Sequence, residues 1–176
     1  MTQHEILNRL FLEAAGDLLS ANGIKAEVVT ELGADVHSKL SYVSVLGATG
    51  EGVALSSMMT VDSALLVSLH PLGITEIPTA DLEDWCRELN NQLVGRVKNK
   101  LLRYGVVVAL GLPVLLRGTD VSAVATPDLT VSKHAIRTSS GKISLSLATL
   151  VDEDLVLIER ESADEEVMLE GVVSLF

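Results

Sequence analysis

The stretch ADLEDWCRELNNQLVGRVKNKLLR, Ala80 to Arg103, decides the fold. Thr79 and the acids Asp81, Glu83 and Asp84 stand where the N-terminus of a helix favours a capping hydroxyl and negative charge. Lys98, Lys100 and Arg103 collect at the other end, and Gly105 supplies a residue able to close the helix in the left-handed conformation. At about 100° per residue, Leu82, Trp85, Leu89, Leu93, Val97 and Leu101 fall on one apolar stripe, with Cys86 in its middle. Asp84, Glu88, Asn91 and Gly95 gather on the opposite side within roughly 60°. The spacing predicts a helix over 80–103 that buries a broad apolar face and shows solvent a narrow ridge of acid, amide and glycine.

A second long helix is expected at the start of the chain. Thr2 and Glu5 form a capping box, and Ile6, Leu7, Leu10, Phe11, Ala14, Ala15, Leu18 and Leu19 follow at helical spacing until Asn22-Gly23. Segments rich in β-branched residues at 25–31, 39–47 and 52–59 read as strands, the last two joined by the hairpin Gly47-Ala-Thr-Gly50-Glu-Gly52. Thr60 or Asp62 can cap a shorter helix over 61–69, ended by His70-Pro71 and Gly73. Beyond Arg103 the pattern returns to strands. Val106–Ala109 and Val114–Arg117 flank Gly111-Leu-Pro113, Thr130–Arg137 and Lys142–Thr149 alternate, and Leu155–Ile158 is a short apolar run. Ser139-Ser-Gly141 and Asp152-Glu-Asp154 are turns. Whether Val167–Phe176 forms a final strand or a contact tail is left open by its periodicity.

Both halves run helix first, then strands with hairpins, and aligning Gly16 with Gly95 sets Arg9 and Leu12 against Glu88 and Asn91. The expected fold class is α+β: an antiparallel sheet with long amphipathic helices packed on it, in two pseudo-symmetric halves and a single domain over 1–176.

Composition narrows the function. With 48% apolar and 21% charged residues a packed core is expected, and only 3% aromatic content makes it aliphatic. A net charge of −11 opposes nucleic-acid backbones. No apolar run approaches the ~20 residues of a membrane span, and the first ten residues lack a signal-peptide pattern. A lone cysteine on a buried stripe fits a reduced, cytoplasmic setting.

Familiar catalytic patterns are missing. Gly47–Gly52 lacks the Gly-Lys-Ser/Thr ending of a phosphate loop and leads into a strand. His4, His37, His70 and His134 are scattered, so no metal site is expected. There is no Gly-x-Ser-x-Gly elbow, and Cys86 lacks an exposed, electropositive setting.

One constellation survives: Asp84-x-x-x-Glu88-x-x-Asn91, with Gly95 a turn later and Pro113 downstream. Here the chain resembles the CheC/CheX/FliY family of chemotaxis phosphatases, whose signature has Asp or Ser, then Glu, Asn and a later Pro. Glu88–Gly95, ELNNQLVG, is similar to that family's motif helix, and a single intact motif is most similar to the CheX branch. The 21 residues between Asn91 and Pro113 are one fewer than in the family pattern, which weakens Pro113 as part of the match.

The resemblance implies a protein that removes the phosphoryl group from the aspartyl phosphate of a CheY-like response-regulator receiver domain. It implies catalytic roles for Asn91, orienting the attacking water, and Glu88, pairing with the receiver's lysine. Asp84 and Gly95 would be partner-binding, with Arg87 or Lys98 at the rim. No cofactor of its own is implied, because Mg2+ is supplied by the receiver, and a homodimer is expected. The alternative is a non-catalytic receiver-binding or scaffolding domain using the same helix. A small-molecule site between sheet and helices ranks last, since nothing polar converges there in sequence.

Overall fold

The computed structural model describes residues 1–29, 40–73, 76–119, 121 and 126–159. The order of elements is α1 (Gln3–Ala21), β1 (Ala26–Val29), β2 (Ser41–Gly50), β3 (Val53–Asp62), α2 (Ser63–Ser68), α3 (Thr79–Leu102), β4 (Val108–Leu110), β5 (Val114–Gly118), β6 (Thr130–Thr138) and β7 (Gly141–Val151). All seven strands join one antiparallel sheet in the order β1-β6-β7-β3-β2-β4, with β5 also on β2. The class is α+β, as the sequence predicts.

The strand order carries the internal symmetry. Exchanging β1 with β4, β2 with β6 and β3 with β7 returns the same order reversed, so a pseudo-two-fold axis passes between β3 and β7. The helices follow it. α1 packs on β7 and β1, while α3 packs on β3, β2 and the edge strands β4 and β5. The two run antiparallel: Arg9 meets Tyr104, whereas Asp17, later on α1, meets Lys100, earlier on α3.

Both long helices form for the expected local reasons. Thr2 accepts from the Glu5 amide while the Glu5 carboxylate accepts from the Thr2 amide, completing the capping box. All eight apolar positions of α1 are buried. In α3 the cap differs from expectation. Pro78 occupies the N-cap with no side-chain hydrogen bond, and Thr79 is already helical. The fixed φ of proline is compatible with entry to a helix, so the chain starts α3 without a hydroxyl cap. Gly105 follows the helix at φ 72°, as its position suggests.

Several boundaries shift. β2 runs on to Gly50, so the hairpin turn contracts to Glu51-Gly52, with Gly52 at φ 70°. Asp62, not Thr60, caps α2 by accepting from the Leu65 amide at 2.8 Å, and the helix is six residues long. Leu155–Ile158 forms no ladder. Its backbone finds a side-chain partner instead, Gln3 Nε2 donating to the Leu155 carbonyl at 2.8 Å, while Leu157 turns into the core. The stretch Val167–Phe176 and part of the first expected strand lie outside the described residues.

One core lies between the helices and the sheet, built from α1, α2, α3 and the inward positions of β2, β3, β6 and β7. The strand alternation places Val114, Leu116 and Leu150, all exposed, on the opposite face of the sheet. No helix of the described residues is long and apolar enough to cross a membrane.

Candidate functional site on the outer face of α3

The outer face of α3 is set by what its inner face buries. Leu82, Cys86, Leu89, Leu93, Val94, Val97 and Leu101 are buried, and so is Asn90. Trp85, expected on the stripe, is only half-buried, its ring edge-on to His70 with centroids 5.7 Å apart. With the inner face fixed, Asp84, Glu88 and Asn91 are exposed together and Gly95 lies half-buried beside them. Thus the structure keeps all four predicted ridge residues on one side of one helix.

Their local partners differ. Asp84 forms an ion pair with Arg87 on the same helix. Such an exposed pair contributes little stability, so Arg87 stays available at the rim at small cost. Glu88 accepts a hydrogen bond from Gln92 Nε2 at 2.8 Å, which holds its carboxylate along the ridge. Among the described residues the Asn91 carboxamide makes no hydrogen bond within the chain, so its carbonyl and its NH2 both face outward unused. Lys98 is half-buried on the same side and forms no ion pair among the described residues.

Gly95 needs no explanation from within the chain, and that is informative. A methyl group there would meet nothing within 4 Å beyond its own stretch of helix backbone, and the residue sits in the helix interior. Glycine there lowers helix stability by about 0.5–1 kcal/mol relative to alanine. We therefore expect Gly95→Ala to raise the unfolding free energy by about that amount in a denaturant titration. If Gly95 serves close approach of a partner, the same variant weakens partner binding; equal binding by variant and wild type would remove that role.

Pro113 is elsewhere. It stands in the break between β4 and β5, where the edge of the sheet is interrupted and Gly111 donates to the Gly47 carbonyl at 2.8 Å. Proline is at home on such an edge. The pseudo-equivalent surface of α1 is not a second ridge. Arg9, matching Glu88, donates to the Tyr104 hydroxyl at 2.7 Å and pairs with Glu13 at 3.3 Å, and Leu12 matches Asn91.

Burial pushes the Cys86 thiol up to about 12, so it stays protonated. Among the described residues no group of three His, Cys, Asp or Glu is placed to hold a metal ion. A groove at the start of α3, lined by Tyr42, Val67, Glu76, Ile77, Leu82 and Arg117, gathers one acid and one cation, and Arg117 is already 3.4 Å from Glu83.

Sequence reasoning gives Asn90 no role beyond satisfying a backbone group, and the structure shows a fuller one. Its side chain lies between α3 and the β2–β3 hairpin, where Oδ1 accepts from Ser57 Oγ at 2.7 Å and Nδ2 donates to the Ser44 carbonyl at 3.0 Å. The signal was available, since the same 100° arithmetic puts Asn90 between Val97 and Leu101 on the buried arc.

A two-fold-related antiparallel sheet carrying two antiparallel helices defines the class: this chain has the fold of the CheC-like chemotaxis proteins. Within that class it is similar in structure to CheX proteins. A CheC-like superfamily protein from Shewanella sp. PV-4 superposes with a TM-score of 0.71 at 18% identity, covering 85% of this chain and 99% of that one. CheX from Vibrio vulnificus gives 0.69 at 16%, covering 81% and 95%. The CheX of a CheX–CheY–BeF3–Mg2+ complex from Borrelia burgdorferi gives 0.60 at 15%, covering 81% and 96%. No family model matches the chain, and no curated protein sequence matches it. The shared feature is the fold.

Proposed function

We propose that this chain hydrolyses the aspartyl phosphate of a CheY-like receiver domain, offering the outer face of α3 to the receiver's active site. The observation that carries the reading is the unengaged Asn91 carboxamide beside the Glu88 carboxylate on one exposed helix face. Support also comes from the fold, which is shared with a CheX whose structure includes CheY and BeF3, a mimic of the phosphoryl group.

Phosphoryl transfer from an acyl phosphate asks for little covalent help. It asks for a water in line with the scissile bond and for compensation of charge on the equatorial oxygens. The receiver brings Mg2+ and a lysine, so this chain needs no cofactor of its own. Asn91 accepts from the attacking water through its carbonyl and orients it. Glu88 takes the receiver lysine in a charge-assisted hydrogen bond, fixing register. Arg87 and Lys98 at the rim offset part of the −11 charge that would otherwise oppose docking on an acidic partner. Asp84 lies at the periphery and Gly95 lets the surfaces approach. The working form in this reading is a cytoplasmic homodimer.

The test is the rate of phosphate loss from a phosphorylated receiver with and without the chain. Acceleration in the presence of Mg2+ is expected. Saturable binding with an unchanged rate would leave the scaffolding alternative, and no binding to any receiver of the same organism would remove both.

A further inference from the structure

Asn90 is fully buried, at 0% exposure, where α3 packs on β2–β3, with Leu89, Leu93 and Val94 of the apolar core as its neighbours along the helix. Burying a primary amide is strongly unfavourable unless its groups are paired. Here they are. Besides the two bonds already described, Nδ2 lies 3.3 Å from Ser44 Oγ and 3.4 Å from the Ser57 carbonyl. Ser44 and Ser57 sit on neighbouring strands, on the helix-facing side, so the amide bridges two strands at once.

An apolar stripe alone lets a helix rotate or slide by a fraction of a turn at small cost, because aliphatic contacts are non-directional. A buried amide cannot move that way without orphaning its partners, and a buried polar group left unpaired is strongly unfavourable. Single buried asparagines fix register in coiled coils on the same grounds. Asn91 is the next residue, about 100° around the helix. Any rotation that Asn90 forbids would carry the Asn91 carboxamide and the Glu88 carboxylate with it.

We propose that Asn90 is a positioning residue: its clamp on Ser44 and Ser57 sets the rotation and height of α3, and so aims the Glu88–Asn91 ridge at its partner. The catalytic part of this inference rests on the phosphatase reading; the structural part does not.

The test uses Asn90→Leu, of similar volume, and Ser57→Ala, which removes one arm of the clamp while leaving Asn90 in place. Trp85 is the chain's single tryptophan and lies on the same helix, so its emission reports the helix setting without any receiver present. We expect a shifted Trp85 emission maximum in Asn90→Leu and a smaller shift in the same direction in Ser57→Ala. With a phosphorylated receiver, kcat should fall at least about tenfold in Asn90→Leu, since misplacement by about 1 Å is enough for such losses. A merely structural Asn90 would lower the melting temperature and leave kcat per folded molecule and the emission unchanged. Should Asn90→Leu fail to fold, Ser57→Ala decides. Wild-type emission and wild-type kcat in the folded variants overturn the inference. If wild type itself leaves phosphorylated receivers untouched, the phosphatase reading fails while the emission still decides the clamp.

Discussion

Asn91→Ala should abolish most of the dephosphorylation while leaving the protein slightly more stable. Asn91 is exposed and makes no hydrogen bond among the described residues, so its removal orphans nothing. Alanine is also the better helix former, by about 0.5 kcal/mol at an exposed position. The catalytic loss has a different origin. Without the amide, the attacking water keeps its freedom in the docked complex, and a poorly placed nucleophile costs about 10²-fold in kcat. Receiver affinity should change little, because the Glu88 contact and the rim charges remain. The measurement is single-turnover phosphate release at saturating protein, alongside a denaturant titration. A variant that releases phosphate as fast as wild type would take Asn91 out of the chemistry.

Phe11→Ala should do the reverse. Phe11 sits on α1 with no exposed surface and is the largest of the fully buried side chains. The core around it is mostly Leu, Val, Ile and Ala, with Tyr42, Met59, Cys86 and Tyr104 as its other members, and a close-packed interior refills such a volume only in part. Truncation should cost about 3–5 kcal/mol. That is a large fraction of the 5–15 kcal/mol that holds a domain together, and for a chain of this size it lowers the melting temperature by roughly 6–20 °C. Well below the new melting point, the rate per folded molecule should match wild type, since the ridge is on the far side of another helix. A melting temperature unchanged within a degree would mean that the α1–sheet packing described above is wrong.

The contrast between these two variants follows a division visible in the sequence itself. The capping box and the eight apolar positions of α1 are local features, spaced by the helical period, and the structure buries every one of them. The ridge of α3 was legible for the same reason: 84, 88, 91 and 95 share a face whatever the tertiary context. What stayed hidden depends on partners far along the chain. The helical period puts Asn90 on the buried arc, but its partners stay hidden until Ser44 and Ser57, 46 and 33 positions earlier, are brought under it. That β4 and β5 line up end to end on β2 also follows from long-range pairing, with Gly111 and Pro113 marking only that some interruption occurs. Leu155–Ile158 shows the converse error. A short apolar run fits a strand, but this one joins no ladder, and a side-chain amide from α1 donates to the Leu155 carbonyl instead. The absence of a side-chain cap on α3 was likewise invisible beside a well-placed threonine.

The internal symmetry adds a point about function. Two equivalent helices lie on equivalent halves of the sheet, yet one has committed its matching position to structure. Arg9 is held by Tyr104 and Glu13, joining α1 to the end of α3, whereas Glu88 and Asn91 remain at the surface. An exposed polar face and a stabilising seam are thus divided between the two helices.

The central claim is that the outer face of α3 is the surface offered to a receiver domain. It is tested most directly by titrating isotope-labelled protein with a receiver activated by BeF3 and Mg2+ and following backbone amide shifts. The account predicts that the largest changes fall on Asp84, Glu88, Asn91, Gly95 and Lys98. Changes concentrated instead on the opposite face of the sheet, around Val114, Leu116 and Leu150, would contradict it.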